Sequence, residues 1–329
     1  MPDLSLIAAL VGGLVIMALA GNALVSGAVG LARRIGVSPL VAGIFIVGFG
    51  TSAPEMIVSL DAAMSGRSGL ALGNIVGSNI ANVFLVLGLP ALIAPVMAGG
   101  VGEKRAMVAM IVAAVAWIGI TAVMPLTPMV GLCFLAILIA YSGLTFIAAR
   151  RAVAAGKDPG VTEEEDPHLP LWLSLIYIPL GIGGLILGAN LVIAGGVGIA
   201  TFLNVPEEYI GLTLLAVGTS LPEIGAGLVA AVKRQGEVLI GNVLGSNVFN
   251  ILGAGGIVGL FGPISTAPTF QQYDHWALAL ATLIASILIV TKARIGRLTG
   301  LLLLLVYAAY VYGLITGLNI TGLFLPAGT

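Results

Sequence analysis

The chain has 329 residues, of which 59% are hydrophobic and 8% are charged. Soluble proteins average about 45–50% apolar and 25% charged residues, so this composition excludes a soluble domain and indicates a membrane protein. The net charge of −1 leaves no basic excess to hold nucleic acid. The one cysteine, Cys133, excludes an intramolecular disulfide, and His168 and His275 lie too far from any Cys or His partner to suggest a zinc site.

Apolar segments follow one another along the whole chain. A bilayer core accepts about 20 apolar residues per helical crossing, which leaves room for roughly ten crossings. The segments are continuous apolar runs rather than the alternating strands of a β-barrel, so we predict helices. Turn residues and charges place the predicted spans at residues 4–32, 39–66, 70–95, 105–124, 127–149, 170–200, 207–232, 237–262, 275–292 and 297–317.

The basic residues predict an orientation for these spans. With the N-terminus outside, every Lys and Arg except Arg67 falls on the cytoplasmic side, which agrees with the positive-inside rule. We therefore predict an integral protein of the plasma (cell inner) membrane, surrounded by lipid, with both termini outside. A polar stretch at 150–169 is predicted to be a solvated cytoplasmic linker. It separates a first five-helix repeat, 1–149, from a second, 170–329.

An internal repeat relates the two halves. The sequence GTSAPE at 50–55 recurs as GTSLPE at 218–223, and GNIVGSN at 73–79 recurs as GNVLGSN at 241–247, both at an offset of 168 residues. Five spans separate equivalent positions, and because five is odd the second copy should cross the membrane in the opposite direction. The predicted fold is thus an all-α membrane protein of ten helices in two inverted repeats, an architecture typical of secondary transporters.

The first repeated motif predicts a broken helix in each half. Pro54 and Pro222 lack a backbone N–H and clash with the carbonyl four residues earlier, so each helix should kink and leave carbonyls unpaired at mid-membrane. Hydroxyl and carboxyl groups stand beside each break, and the second motif spaces Ser and Asn one helical turn apart on one face. The ten candidate ligands are Thr51, Ser52, Glu55, Ser78, Asn82, Thr219, Ser220, Glu223, Ser246 and Asn250.

These side chains all offer oxygen, which is the ligand that hard cations such as calcium prefer. Neither motif contains Cys or His, so softer metals are disfavoured. A carboxylate inside the membrane costs at least about 2.5 kcal/mol. Glu55 and Glu223 in equivalent places therefore predict a compensating cation or proton. No resident cofactor is predicted, and calcium and sodium are expected as transported ions.

At these motifs the sequence resembles the cation/calcium antiporter superfamily, and specifically the sodium/calcium exchanger-like proteins of prokaryotes. The resemblance covers essentially the whole chain. It implies that the second, third, seventh and eighth spans surround the ions and that the long first and sixth spans slide past them. It also implies that the candidate residues act as ion ligands, with the carbonyls of Gly48 and Ala216 as further candidates.

One position departs from the pattern of that superfamily. Many sodium/calcium exchangers have an aspartate in the second copy where this chain has Asn250. The two halves are therefore chemically symmetric, with two acidic ligands instead of three. An amide oxygen still coordinates cations, but the missing charge bears on the stoichiometry and on the identity of the driving ion.

The leading hypothesis is a secondary active antiporter that moves calcium outward in exchange for sodium at one midplane site. A proton-driven calcium or cation antiporter with the same fold is the alternative. A cation channel would use the same oxygens without counter-ion flux, and the inverted repeat disfavours it. An intramembrane hydrolase is disfavoured because Ser and His form no paired arrangement within the spans, so we do not expect an enzyme.

Overall fold

The computed structural model describes residues 4–97, 100, 102–155, 169–203, 216–266, 270–292, 294–318 and 320, and these are almost entirely helical. A two-residue antiparallel pair, β1 (Val96–Met97) with β2 (Arg294–Ile295), joins two interhelical loops. The helices are α1 (Leu4–Ile35), α2 (Pro39–Thr51), α3 (Ala53–Met64), α4 (Ser68–Ile93), α5 (Glu103–Val123), α6 (Pro128–Ala154), α7 (Leu171–Phe202), α8 (Leu221–Val232), α9 (Gly236–Leu260), α10 (Phe270–Val290) and α11 (Arg297–Thr316).

The helices of the described residues agree with the predicted spans. Eight of them are long and apolar enough to cross a membrane, and α2 with α3 forms a bent pair that counts as one further crossing. The predicted seventh span, 207–232, falls partly outside the described residues, as does most of the predicted linker. The number of ten spans and the inversion of the repeat therefore stay predictions, whereas the all-helical membrane architecture is confirmed.

Two helices form the centre of the molecule. In the most apolar stretch of each helix, 83% of the residues of α4 and 89% of the residues of α9 are buried. The other spanning helices bury only 17–44% of the corresponding residues. Because a helix that is surrounded by protein on all sides must satisfy its polar groups there, the second repeated motif in α4 and α9 lies in the protein interior rather than against lipid.

The two longest helices, α1 and α7, lie antiparallel against each other. Each has 32 residues. Glycines bring their backbones together: a Cβ at Gly13 would lie 2.7 Å from the carbonyl oxygen of Gly188, and one at Gly181 would lie 2.6 Å from the Leu24 nitrogen. Small residues of this kind let membrane helices approach closely enough for dispersion contacts. The offset of 168 maps α1 onto α7, and an inverted repeat requires this antiparallel arrangement of the equivalent pair.

Alanine substitutions at two glycines of α7, two residues apart, test the close packing of α7 against α1. We expect Gly181→Ala to lower the free energy of unfolding by about 1–3 kcal/mol, because the added methyl overlaps the Leu24 backbone. Gly183→Ala is the matched control, since no described atom lies within 4 Å of a Cβ there. Reversible unfolding in mixed detergent and SDS micelles would measure both. Equal effects of the two substitutions would contradict the close approach of α1 and α7.

Candidate functional site

The helix break expected from Pro54 is present. Helix α2 ends at Thr51, α3 begins at Ala53, and the two axes are bent by 40°. Pro54 lies in the first turn of α3, where a missing N–H leaves no hydrogen bond unmade. The second copy follows the same pattern, because α8 begins at Leu221 with Pro222 in its first turn, after a single helical turn at Ala216–Gly218.

Glu55 and Glu223 lie in the first turns of α3 and α8, directly after the two breaks. Their exposed fractions are 1% and 0%. They interact electrostatically with each other, so the structure brings the carboxyl groups of the two repeats together in the interior. The two carboxyl groups are directed into the protein core and not toward lipid.

A serine from one repeat contacts the carboxylate of the other. The Ser52 hydroxyl donates to Glu223 Oε1 at 3.3 Å. A helix face shared by Ser52 and Glu55, which their spacing of three residues predicts, stays a prediction. The break lies at Ser52, the residue before α3, and its hydroxyl reaches the glutamate in the first turn of α8.

Many polar atoms around the breaks have no hydrogen-bond partner. Both carboxylate oxygens of Glu55 and the second carboxylate oxygen of Glu223 are buried without a protein donor in the described part of the chain. The same holds for the Ser220 hydroxyl and for the side-chain amides of Asn82 and Asn250. More than nine in ten buried polar groups in proteins have a partner. Several buried polar atoms without a hydrogen-bond partner, gathered in two repeated motifs, are typical of a ligand-binding site.

Two asparagines that the sequence analysis did not single out connect the repeats. The Thr51 hydroxyl lies 3.3 Å from Asn242 Oδ1, and the Thr219 hydroxyl lies 3.3 Å from Asn74 Oδ1. Each asparagine also donates to the glutamate carbonyl of its own repeat, Asn242 to Glu223 at 3.4 Å and Asn74 to Glu55 at 3.1 Å. The two sets are related by the offset of 168. Their place in both copies of the repeated motif was the signal that could have identified them.

Helix α9 approaches α2 closely enough for their backbones to touch. A Cβ at Gly245 would lie 2.7 Å from the Ile44 Cα, so only a glycine leaves room for the α2 backbone there. Its counterpart Gly77 has no described atom within 4 Å of such a Cβ. The approach places the Ser246 hydroxyl 3.3 Å from the Gly48 carbonyl oxygen, in the π-helical segment Gly43–Gly48 of α2.

The two copies of the second motif differ in backbone conformation. Asn82 lies in the regular α-helix α4, whereas Asn250 lies in a π-helical segment, Phe249–Ala254, within α9. Both side chains are buried, as is Ser78. A π-helical turn inside an α-helix often marks a functional position, because it redirects side chains and carbonyls. The chemical symmetry of Asn82 and Asn250 is therefore not matched by symmetry of the backbone.

The remaining acidic residue of this region is solvent-exposed. Asp61 forms an ion pair with Arg67 at 3.2 Å, and the side chains are 72% and 58% exposed. In the described ranges no group of three His, Cys, Asp or Glu residues is placed to hold a metal ion. The candidate site thus combines two carboxylates with neutral hydroxyl, amide and carbonyl oxygens.

Comparison with known proteins identifies a family that matches most of this chain. The family model for sodium/calcium exchanger proteins matches residues 5–147 and 173–316. The chain is 33% identical to the inner membrane protein YrbG of Escherichia coli, over 93% of this chain and 97% of that protein. It is 29% identical to the sodium/calcium exchanger MaX1 of Methanosarcina acetivorans, over 91% and 95% of the two chains.

A solved structure shares the fold. The sodium-calcium exchanger NCX_Mj, soaked with zero Na⁺ and Ca²⁺, superposes with a TM-score of 0.79 at 30% identity, covering 95% of this chain and 100% of that chain. The match to the family model covers both halves of the chain, and the relatives match it over nearly their whole length. This integral membrane protein therefore belongs to the sodium/calcium exchanger family.

Proposed function

We propose that the protein is a secondary active antiporter that exports calcium in exchange for sodium entering the cell, by alternating access at a site between Glu55 and Glu223. The observation that carries the proposal is the burial of two neighbouring carboxylates whose oxygens have almost no protein donors. Two buried negative charges without a cationic side chain are tolerated only when an ion or a proton neutralises them. The family membership supports cations as the substrates.

The oxygens beside the breaks suit calcium. Calcium takes about 6–8 oxygen ligands from carboxylates, carbonyls and side-chain amides. Glu55 offers two unpartnered oxygens, and Glu223 offers one unpartnered oxygen beside the one that accepts from Ser52. Neutral oxygen ligands complete the proposed coordination set. They are Thr51, Ser52, Ser78, Asn82, Thr219, Ser220, Ser246, Asn250 and the Gly48 carbonyl.

Competition for this site is the proposed means of coupling. One calcium ion or two sodium ions would neutralise the two carboxylates, whereas the empty site carries two negative charges in an apolar interior. Closing the empty site is costly for that reason, and closing the loaded site is not. Exchange is then favoured over leak, because the protein changes sides readily only when ions are bound.

Helix α7 is placed to control access to the site. A Cβ at Gly50 would overlap the Ile182 side chain, and one at Gly218 would overlap the Ile193 side chain. Both isoleucines belong to α7, so this helix covers both breaks in the present conformation. We propose that α7 and its partner α1 slide along the core and uncover the site alternately on each side, with both termini outside the cell membrane.

Neutralising either glutamate should abolish transport without unfolding the protein. We expect Glu55→Gln and Glu223→Gln to reduce sodium-driven calcium uptake into proteoliposomes to the background of empty liposomes. In the absence of ions, the free energy of unfolding of both variants should be at least that of the parent, because the amide removes a buried charge. Asp61→Asn is the matched control, since it neutralises an exposed carboxylate, and it should retain exchange. Normal uptake by either glutamine variant would refute the two-glutamate site.

A proton-driven antiporter is the second candidate, and the position that favours it is Asn250. With an amide there, only two acidic groups are available in the site, and one of them could exchange a proton for calcium. Sodium, potassium and proton gradients imposed separately on proteoliposomes distinguish the drivers. The leading proposal predicts calcium uptake with the sodium gradient alone. Uptake with only the pH gradient would select the proton-driven mechanism, and uptake without any counter-ion would indicate a channel.

We also propose that Asn74 and Asn242 position the ligands of the opposite repeat. Each lies between a threonine of one half and a glutamate carbonyl of the other. Removing one of them should loosen the junction of the two broken helices. Buried hydrogen bonds between membrane helices contribute about 0.6 kcal/mol on average and up to about 1.7 kcal/mol.

A double-mutant cycle measures this connection. Thr51→Val and Asn242→Ala should show an interaction energy of about 0.5–1.5 kcal/mol in unfolding by SDS titration, because each removes one side of the same contact. The control cycle pairs Thr51→Val with Thr282→Val, whose hydroxyl bonds only within its own helix, to Leu278. That cycle should be additive. Additivity in both cycles would contradict the proposed positioning role.

A further inference from the structure

A basic cavity lies between α1 and the turn that joins α8 to α9. Its volume is about 300 Å³, far more than a water molecule needs. The lining residues are Val25, Ser26, Val29, Val232, Lys233, Arg234 and Gln235. The α1 side is buried, whereas Arg234 is exposed and Lys233 is half-buried. The cavity is therefore open on the side of the charged residues and closed by apolar side chains behind them.

Two of the residues that line this cavity, Lys233 and Arg234, carry positively charged donor groups. The Lys233 ammonium donates to the Ser26 hydroxyl across the junction of α1 and α8. The Ser26 bond uses one of the three hydrogens of this ammonium, and the Arg234 guanidinium carries five hydrogens. The nearby acidic residue Glu237 is not among the lining residues, and its carboxyl carbon lies against Gly100. Among the described residues that line the cavity, two are positively charged and none carries a carboxylate.

The cavity lies at the end of an apolar helix, which is where we expect lipid head groups. Lys233 and Arg234 directly follow the last residue of α8, at the end of an apolar helix, and Val232 beside them is 63% exposed. An acyl chain could lie along that exposed apolar surface while its head group enters the basic opening. The sequence predicts this end of the helix to face the cytoplasm, where basic pockets between helices bind anionic head groups.

We infer that the cavity between α1 and the α8–α9 turn binds a phosphate group through Lys233 and Arg234. An anionic phospholipid head group is the source that its depth favours, and inorganic phosphate shares the same chemistry. The bound phosphate would connect α1 to the core, because the cavity is lined by α1 on one side and by the α8–α9 turn on the other. This site is distinct from the two-glutamate site and does not depend on the proposed ion exchange.

Native mass spectrometry of the full chain, after exchange into phosphatidylcholine nanodiscs doped with phosphatidylglycerol, tests the inference. We expect phosphatidylglycerol to remain bound to the parent protein after release. The amount of retained phosphatidylglycerol should be about fivefold lower in Arg234→Gln and in Lys233→Gln. One basic residue near an anionic surface contributes about that factor to lipid binding. Arg151→Gln is the matched control, because it removes an equivalent charge at the end of α6 outside the cavity, and it should retain the lipid.

A second measurement identifies the source of the phosphate. Inorganic phosphate is titrated into the protein in pure phosphatidylcholine nanodiscs, and the melting temperature is recorded for the same four proteins. Stabilisation of the parent and of Arg151→Gln, but not of the two cavity variants, would assign the site to soluble phosphate. Lipid retention without that stabilisation would assign it to the head group. If neither measurement separates the cavity variants from Arg151→Gln, the inference is wrong. Arg234→Gln leaves the Ser26 contact intact, so it remains informative if Lys233→Gln fails to fold.

Discussion

The structure depends on one electrostatic constraint, which is that two carboxylates share a buried position with almost no donors around them. Within the described residues, the carboxylates of Glu55 and Glu223 together accept one hydrogen bond, from Ser52. An intramembrane charge costs at least about 2.5 kcal/mol even on the mildest scales, and a second like charge nearby adds repulsion. The protein can hold this arrangement only by having an ion or a proton as part of it. Because two charged carboxylates are costly to bury without a counter-charge, their neutralisation by an ion or a proton is the basis of the proposed function.

Proline and glycine residues, which act on the backbone, determine where these two side chains lie. Proline in the first turn of α3 and of α8 ends the preceding helix and aims the following glutamate at the opposite repeat. Glycines in α9 let its backbone touch α2, so that Ser246 reaches the Gly48 carbonyl. The surrounding helices then shield the centre, since α4 and α9 are far more buried than the others. The same local features, repeated at an offset of 168 residues, thus bring side chains of both halves together at the candidate site.

Local features of this site were predictable from the sequence because they follow from single residues. Pro54 fixes the helix break, and apolar runs ended by charges and turns fix the helix bounds to within a few residues. Contacts between helices were not predictable in the same way. The hydrogen bond from Ser52 to Glu223 joins residues 171 positions apart, and no local pattern around either residue specifies it. Likewise, the GNxxGSN motif is followed by a regular helix at Asn82 and by a π-helical turn at Asn250, so the packing around each copy decides the backbone.

The central claim is that a cation lies between the carboxylates of Glu55 and Glu223, and its most direct test is to locate the ion. Crystals soaked in strontium without sodium, measured near the strontium absorption edge, would give an anomalous difference map. We expect one dominant peak in coordination with both carboxylates, at about the 2.3–2.6 Å typical of calcium or slightly longer. The peak should weaken when sodium replaces strontium. A dominant peak elsewhere, with no density between the two glutamates, would contradict the account.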